Sequence, residues 1–393
     1  MSYNITSWFI DQLALPATAP RRMFWVGSTN YSDRVLKWPK IERISNKFTT
    51  STINMTLAND DGYLNTFYAL TYHTYLPCCI QLGFSHPTSG DEMITLYQGK
   101  IDFVSYPNEG QCQIKLRDRL YDFMQAKVGD TEIPVSMGSQ SPSEIAWTLC
   151  TCYGGLSNVR STSNPDIDYA RFGIWAAQFS ADTIRCAGYY KGDKITKALE
   201  SVAGMTDSCL WVDGNNKIAF ARWVTANTLD VVIDRTRQAA LIIDVEKGEL
   251  VNKQYVGFNY AVTSDYWRMN VVSVRSLSIT SYGLHENILQ DESIWFCDSV
   301  SALNLAQRLS ARYQYPPKMF KVTTGLWGLY RDIGETVRLV SSFYNITSAG
   351  GYRIVEIIYD MEQGKTTFVM DDSAISNAFY LDVSTLDGTD LLL

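Results

Sequence analysis

The sequence predicts a mainly β fold interrupted by α+β insertions. Three observations carry this. Both ends of the chain hold short runs of alternating apolar and polar residues joined by turn residues. The middle third instead holds capped segments with helical spacing. Aromatic residues make up 13% of 393 residues, with 24 tyrosines and 10 tryptophans, and rings suit the pleated face of a sheet. A chain this long exceeds one ordinary core, so several domains are expected.

Residues 1–125 read as a meander or barrel of short strands. "RISNKFTTSTINMTLAND" (43–60) alternates from Phe48 through Ile53, Met55 and Leu57 with one change of phase, and "NDDG" closes it as a turn. In "TLYQGKIDFVSYPNEGQCQIKLRDRL" (95–120), Ile101 and Phe103 share one face of a strand. Cys112, Ile114 and Leu116 share a face of the next, and "YPNEG" is the hairpin loop between them.

Residues 126–225 read as a small α+β domain. In "SPSEIAWTLCTCYGG" (141–155), Ser141 is the expected cap, Pro142 the first helical residue and Glu144 the return half of a capping box. Gly154–Gly155 stops the helix. "GDKITKALESVAG" (192–204) places Ile195, Ala198, Leu199 and Val202 on one face, with Asp193 as its expected cap. "CLWVDGNNKIAFARW" (209–223) is a hairpin with "DGNN" at its tip.

Residues 226–372 return to β pattern in "TLDVVIDR", "AALIIDVEKG" and "NKQYVGFNYAV", with a helical insertion at about 263–315. Its helix is capped by Asp298 or Ser299 and buries Ala302, Leu305, Ala306, Leu309 and Tyr313. Arg308 and Arg312 sit toward its carboxyl end, where cations complement the helix dipole. Pro316 and Pro317 forbid continuation. Strands follow at "MFKVTTGLWGLY", "IGETVRLV" and "YRIVEIIYDMEQGKTTFVM", the last a hairpin turning at "MEQGK". Residues 373–393 read as an extension with no helical stripe and no clean strand alternation running through it.

Composition narrows the function. Net charge is −7 and the isoelectric point about 5.1, with no run of Lys and Arg to neutralise phosphates. No segment approaches the ~20 apolar residues that span a bilayer. The first residues lack the positive charge of a signal peptide, so none is expected. The eight cysteines show no C-x-x-C and read as reduced, small apolar side chains. "GSQ" at 138–140 lacks the second glycine of a nucleophile elbow. Asp60–Asp61 and Asp371–Asp372 read as solvated caps, and His73 as a satisfied strand histidine. No catalytic residue, cofactor or metal is expected.

Several segments, in this order, resemble one family. "YQGKIDFVSYPNEGQCQIKLRDRLYDF", "SEIAWTLCTCYGG", "YYKGDKITKALESVAGMTDSCLWVDGNNKIAFAR" and "SALNLAQRLSARYQYPPKMFKVTT…DIGETVRLV…GYRIVEIIYDMEQGKTTFVM" resemble the hub proteins of bacteriophage tail tips and baseplates, shared with gene transfer agents. The resemblance implies two related antiparallel tube-type β-barrels, a non-catalytic structural role, and a homotrimer whose six barrels form a pseudo-sixfold ring. The partners it implies are the distal tail or tail tube protein, the tape measure protein and a central spike or fibre. DNA would be present only in transit, with no stable membrane association. The place it implies is the virion, with assembly in the host cytoplasm. The unusual aromatic content and the extension depart from the family. In the extension, Phe379, Tyr380, Leu381, Leu391, Leu392 and Leu393 are expected to dock on a neighbouring subunit or the distal fibre protein. A receptor- or glycan-binding or wall-degrading tail protein is the alternative.

Overall fold

The computed structural model describes residues 5–15, 20–45, 53–69, 76–88, 90–181, 184–222, 232–233, 238–245, 250–316, 318–342, 344, 346 and 351–371. Phe48, His73, Pro317, Asp372 and the six docking residues expected in the extension lie outside them. Among the described residues no helix is long and apolar enough to cross a membrane.

The chain opens with helix α1 (Ser7–Ala14), which sequence pattern did not announce. The Thr6 hydroxyl caps it, accepting from the Phe9 amide at 3.2 Å. Phe9 and Leu13, one turn apart, are buried. Then come β1 (Arg21–Val26), β2 (Thr29–Asn30), β3 (Val35–Lys37), β4 (Lys40–Ile44), β5 (Ile53–Ala58), α2 (Thr66–Ala69), β6 (Pro77–His86), β7 (Gly90–Asn108) and β8 (Gln111–Asp118). All these strands except β4 form one seven-stranded sheet. Ile53, Met55 and Leu57 point inward opposite Leu116, Ile114 and Cys112, as the alternation requires. The register shifts twice between β7 and β8, and bulges of this kind curl a sheet.

The middle of the chain carries α3 (Tyr121–Gln125), β9 (Lys127–Val128), β10 (Val135–Gln140), α4 (Pro142–Thr148), α5 (Tyr169–Ala181), β11 (Cys186–Tyr190), β12 (Asp193–Lys194), α6 (Ile195–Thr206) and the hairpin β13 (Ser208–Val212) and β14 (Ile218–Arg222). Ser141 caps α4, accepting from the Glu144 amide at 3.3 Å. The Glu144 carboxylate, expected to complete the box, instead grips both terminal nitrogens of Arg160 at 2.9 and 2.7 Å. A bidentate guanidinium is the stronger partner. Asp193 does not cap α6 either. It lies in β12, paired with β9, and its carboxylate meets Lys197 at 3.1 Å; Lys194 is the residue before the helix.

The last part holds β15 (Val232–Ile233), β16 (Gln238–Val245), β17 (Lys253–Ala261), β18 (Tyr266–Val274), α7 (Ser276–Tyr282), β19 (Glu286–Leu289), β20 (Ile294–Phe296), α8 (Ser299–Tyr313), β21 (Lys318–Thr324), β22 (Thr336–Leu339), β23 (Gly351–Asp360) and β24 (Lys365–Asp371). Asp298 caps α8, accepting from the Ser301 amide at 2.8 Å. "NKQYVGFNYAV", expected in the closing β region, does not pair there. As β17 it joins a sheet ordered β10-β11-β20-β17-β18, with β19 also on β17. Its alternation marks one buried face without saying which core receives it. Val256 and Phe258 pack with Ile294, Phe296 and Ala302.

The closing sheet runs β15-β22-β23-β24-β21-β16. With the two-residue β2 left out, the first sheet runs β1-β6-β7-β8-β5-β3. Number the strands of each sheet in chain order and both read first, fourth, fifth, sixth, third, second. Four of the five pairings agree in sense; only the first–fourth pair differs, antiparallel in one sheet and parallel in the other. Each sheet also places a short 3-10 turn between its third and fourth strands, Tyr63–Asn65 and Leu326–Tyr330. The chain is thus mainly β, with two related curled sheets.

Strand β4 leaves its own neighbourhood and pairs with β23, Lys40–Ile44 against Glu356–Asp360. One apolar core therefore spans both sheets, from Leu57, Ile80 and Ile114 to Phe320, Ile357 and Phe368. A second core gathers Ile145, Trp175, Leu199 and Phe220 of the middle with Val256, Phe296 and Leu305.

Candidate functional site

The most distinctive chemistry lies where these bodies meet. Helix α6 ends at Asp207, which adopts a left-handed conformation, φ 48°, and is buried. Helix α8 presents Arg308 and Arg312, four residues apart and hence on one face. Each arginine takes one oxygen of Asp207, at 3.2 and 2.9 Å. Arg312 also reaches Asp371, the last residue of β24, at 3.2 Å. Buried Arg353 of β23 stands beside this group. Burial and then the charge of Arg312 push its pKa down to about 10, which still leaves it charged at neutral pH. One helix thus ties the middle core to the closing sheet.

Two further joints repeat the pattern. Arg171 of α5 reaches the fully buried Asp332, ahead of β22, at 2.9 Å, and lies 5.0 Å over the Trp211 ring. The turn that follows needs φ +80° at Gly334, a position facing Cys209 and Trp211 that a side chain enters only with strain. Arg43, on the migrant strand β4, donates to the Leu96 carbonyl of the first sheet at 2.8 Å. Its guanidinium sits 5.2 Å from the Tyr359 ring of the second.

A small polar cleft beside Arg43 is lined by Leu96, Asp118, Val212, Asp213 and Asn216. Burial pushes both carboxylic acids, Asp118 and Asp213, up to about 6. Asp118 accepts from the Leu120 amide at 2.7 Å, and Asp213 from the Asn215 and Lys217 amides at 2.9 and 2.8 Å. These bonds hold turns. Elsewhere Arg34 and the Tyr63 amide hold Asp61 down at about 2.

The other residues singled out in the sequence are dispersed. Asp371, expected to be solvated, is buried against Arg312 because β24 ends inside the joint. "GSQ" is the end of strand β10, not an elbow. Cys78, Cys112, Cys150, Cys186 and Cys209 are buried, and burial raises their thiols, Cys112 to about 11. Among the described residues no three His, Cys, Asp or Glu side chains cluster as metal ligands. Arg308 and Arg312 stand on their expected helix, but beyond complementing its dipole they pair with Asp207. Asp207, Asp332, Arg171 and Arg353 carried no local signal. Chemically, the arrangement sets arginines across the seams, two joints pairing them with carboxylates and the third, at Arg43, with a carbonyl and a ring.

No protein-family model matches the chain, and no curated protein matches it. Solved structures do. A tail protein from Neisseria meningitidis superposes with a TM-score of 0.57 at 10% identity, covering 91% of this chain and 99% of that one. The 43 kDa tail protein of prophage MuSo2 from Shewanella oneidensis gives 0.53 at 13% identity, covering 90% and 98%. Prophage tail protein gp18 from Listeria monocytogenes gives 0.53 at 11% identity, covering 89% and 94%. The chain has the fold of these tail proteins along nearly its whole length.

Proposed function

We propose that this chain, built on the tail-protein fold, is a structural virion protein: the hub of a tail tip or baseplate. Three copies form a homotrimeric ring, and their six sheets present a pseudo-sixfold face to the tail tube. The opposite, threefold face receives a central spike or fibre. The tape measure protein and DNA use the channel, which at a net charge of −7 is expected to be neutral to acidic and to let DNA pass without holding it. The ring is assembled in the host cytoplasm, works in the virion, and performs no catalysis.

The observation that supports this reading best is the repeated strand order of the two sheets within one polypeptide. Duplication inside a subunit turns threefold symmetry into near-sixfold symmetry. The division into two barrel units, a middle α+β unit and an insertion belongs to the same proposal. The charged joints would fix the angle between the units, on which closure depends. Against the glycan-binding alternative, every described tryptophan is buried or half-buried, and the exposed rings are tyrosines and Phe103. Mass photometry of the purified protein, alone and with its neighbouring tail proteins, with electron-microscopy class averages of the product, tests the reading. Threefold rings are expected; a monomer under all these conditions, or saturable glycan binding, overturns it.

A further inference from the structure

The lobe at residues 275–288 exposes large apolar side chains on a backbone that is firmly held. Leu277 is 74% exposed, Leu284 56% and Tyr315 51%. Tyr282 packs edge-on against Tyr315 with ring centroids 6.3 Å apart. Beneath them, buried Asn252 donates to the Gly283 carbonyl at 2.6 Å and accepts from the His285 amide at 2.8 Å. Ser278 bonds the Gln314 carbonyl, and Arg275 donates to Ser310 at 3.1 Å and to the Gln307 carbonyl at 2.9 Å. A rigidly presented apolar patch of this kind marks a contact surface.

We propose that residues 373–393 of the same chain cover this patch. Strand β24 ends at Asp371, held by Arg312, and Tyr315 is three residues further along from Arg312. The last described residue is therefore close in the chain's packing to Tyr315, at the edge of the patch. Phe379 is eight residues beyond Asp371, within about 25 Å of extended chain. The segment has nine large apolar side chains, among them Phe379, Leu381 and Val383 at alternate positions, which would share one side where the chain is extended. Leu391–Leu393 supply a second apolar group. Docking on its own lobe differs from the neighbouring-subunit or fibre target expected from the sequence, and it does not depend on the ring assignment.

The test uses the full chain carrying a photo-crosslinking phenylalanine analogue at Phe379, compared with a variant truncated after residue 372. Irradiation should give crosslinks to 277–288 or Tyr315 within one polypeptide, running as a monomer on denaturing gels. Truncation should speed amide exchange at 276–289 at least tenfold. Leu277→Asp with Leu284→Asp, both at exposed positions, should abolish the crosslink while the fold persists by circular dichroism. Crosslinks only between two copies, crosslinks elsewhere on the chain, or exchange unchanged by truncation would overturn the proposal.

Discussion

The two sheets share a strand order yet are built into the molecule differently. In the first, the second and third strands are separated by a short excursion that includes β4. In the second, the same gap holds everything from Leu250 to Pro316, including α8 and four strands of the middle sheet. The first sheet lends a strand and the second receives one. The difference teaches that two sheets of one strand order can be set apart by what is inserted at one equivalent connection. Here the insertion returns to the middle core and makes the second sheet the anchored one.

The anchor can be broken outright. Replacing Leu305 and Leu309 together with Asp places two carboxylates on the face of α8 turned to the middle core, where Leu305 is buried and Leu309 partly so. The cost is several kcal/mol, comparable with a domain's whole stability. Soluble protein should be lost, and normal yield on size exclusion would refute the role given to that face. A finer break is Arg312→Met, which deprives buried Asp207 and Asp371 of a shared partner. Loss of one member of a buried pair costs about 3–5 kcal/mol. Denaturant titration should show that loss. Hydrogen exchange should rise across 299–313 and 365–371 but not across 77–118; equal loosening of both sheets would erase the contrast.

The seam at Asp118 responds to pH in a defined direction. Its folded pKa, about 6, lies above the usual aspartate value, so the seam's contribution is complete below about pH 4 and is lost as pH rises through 6. Asp213 acts in the same direction. Asp118→Asn should therefore raise the melting temperature at pH 8 and flatten its decline between about pH 4 and 7, by up to about 3 kcal/mol over that window. An unchanged slope counts against the buried assignment. The smallest effect belongs to the first sheet's surface pair: Arg34→Ala removes a bidentate contact with exposed Asp61, and thermal melts should move by about a degree or less.

What the sequence disclosed was local. The cap at Asp298, the stripe of Ala302, Leu305 and Ala306, and the alternation of Ile53, Met55 and Leu57 all stand where pattern placed them, because each depends on neighbours within a few residues. Helix α1 could have been found from Thr6, Phe9 and Leu13. The destination of β17 could not, since a half-buried strand satisfies its alternation against either core. The transfer of β4 to β23 was equally hidden. Lys40–Ile44 reads as an ordinary strand, and its partner lies more than 300 residues away. The joints fail for the same reason. Asp207 meets Arg312 across 105 residues, and nothing in either local pattern names the other.

The crossing of β4 also has a mechanical meaning. Between Lys37, which ends β3, and Lys40, which begins β4, only Trp38 and Pro39 pass from one sheet to the other. Proline limits rotation there. The Trp38 amide is held by the Glu362 carboxylate at 2.9 Å, and Lys40 by Asp360 at 2.9 Å. The link is therefore a dovetail with little angular play, unlike a flexible tether. In any closed assembly of identical parts, an error in the angle within one part is multiplied around the circuit. In the proposed ring, a joint this short would keep that error small.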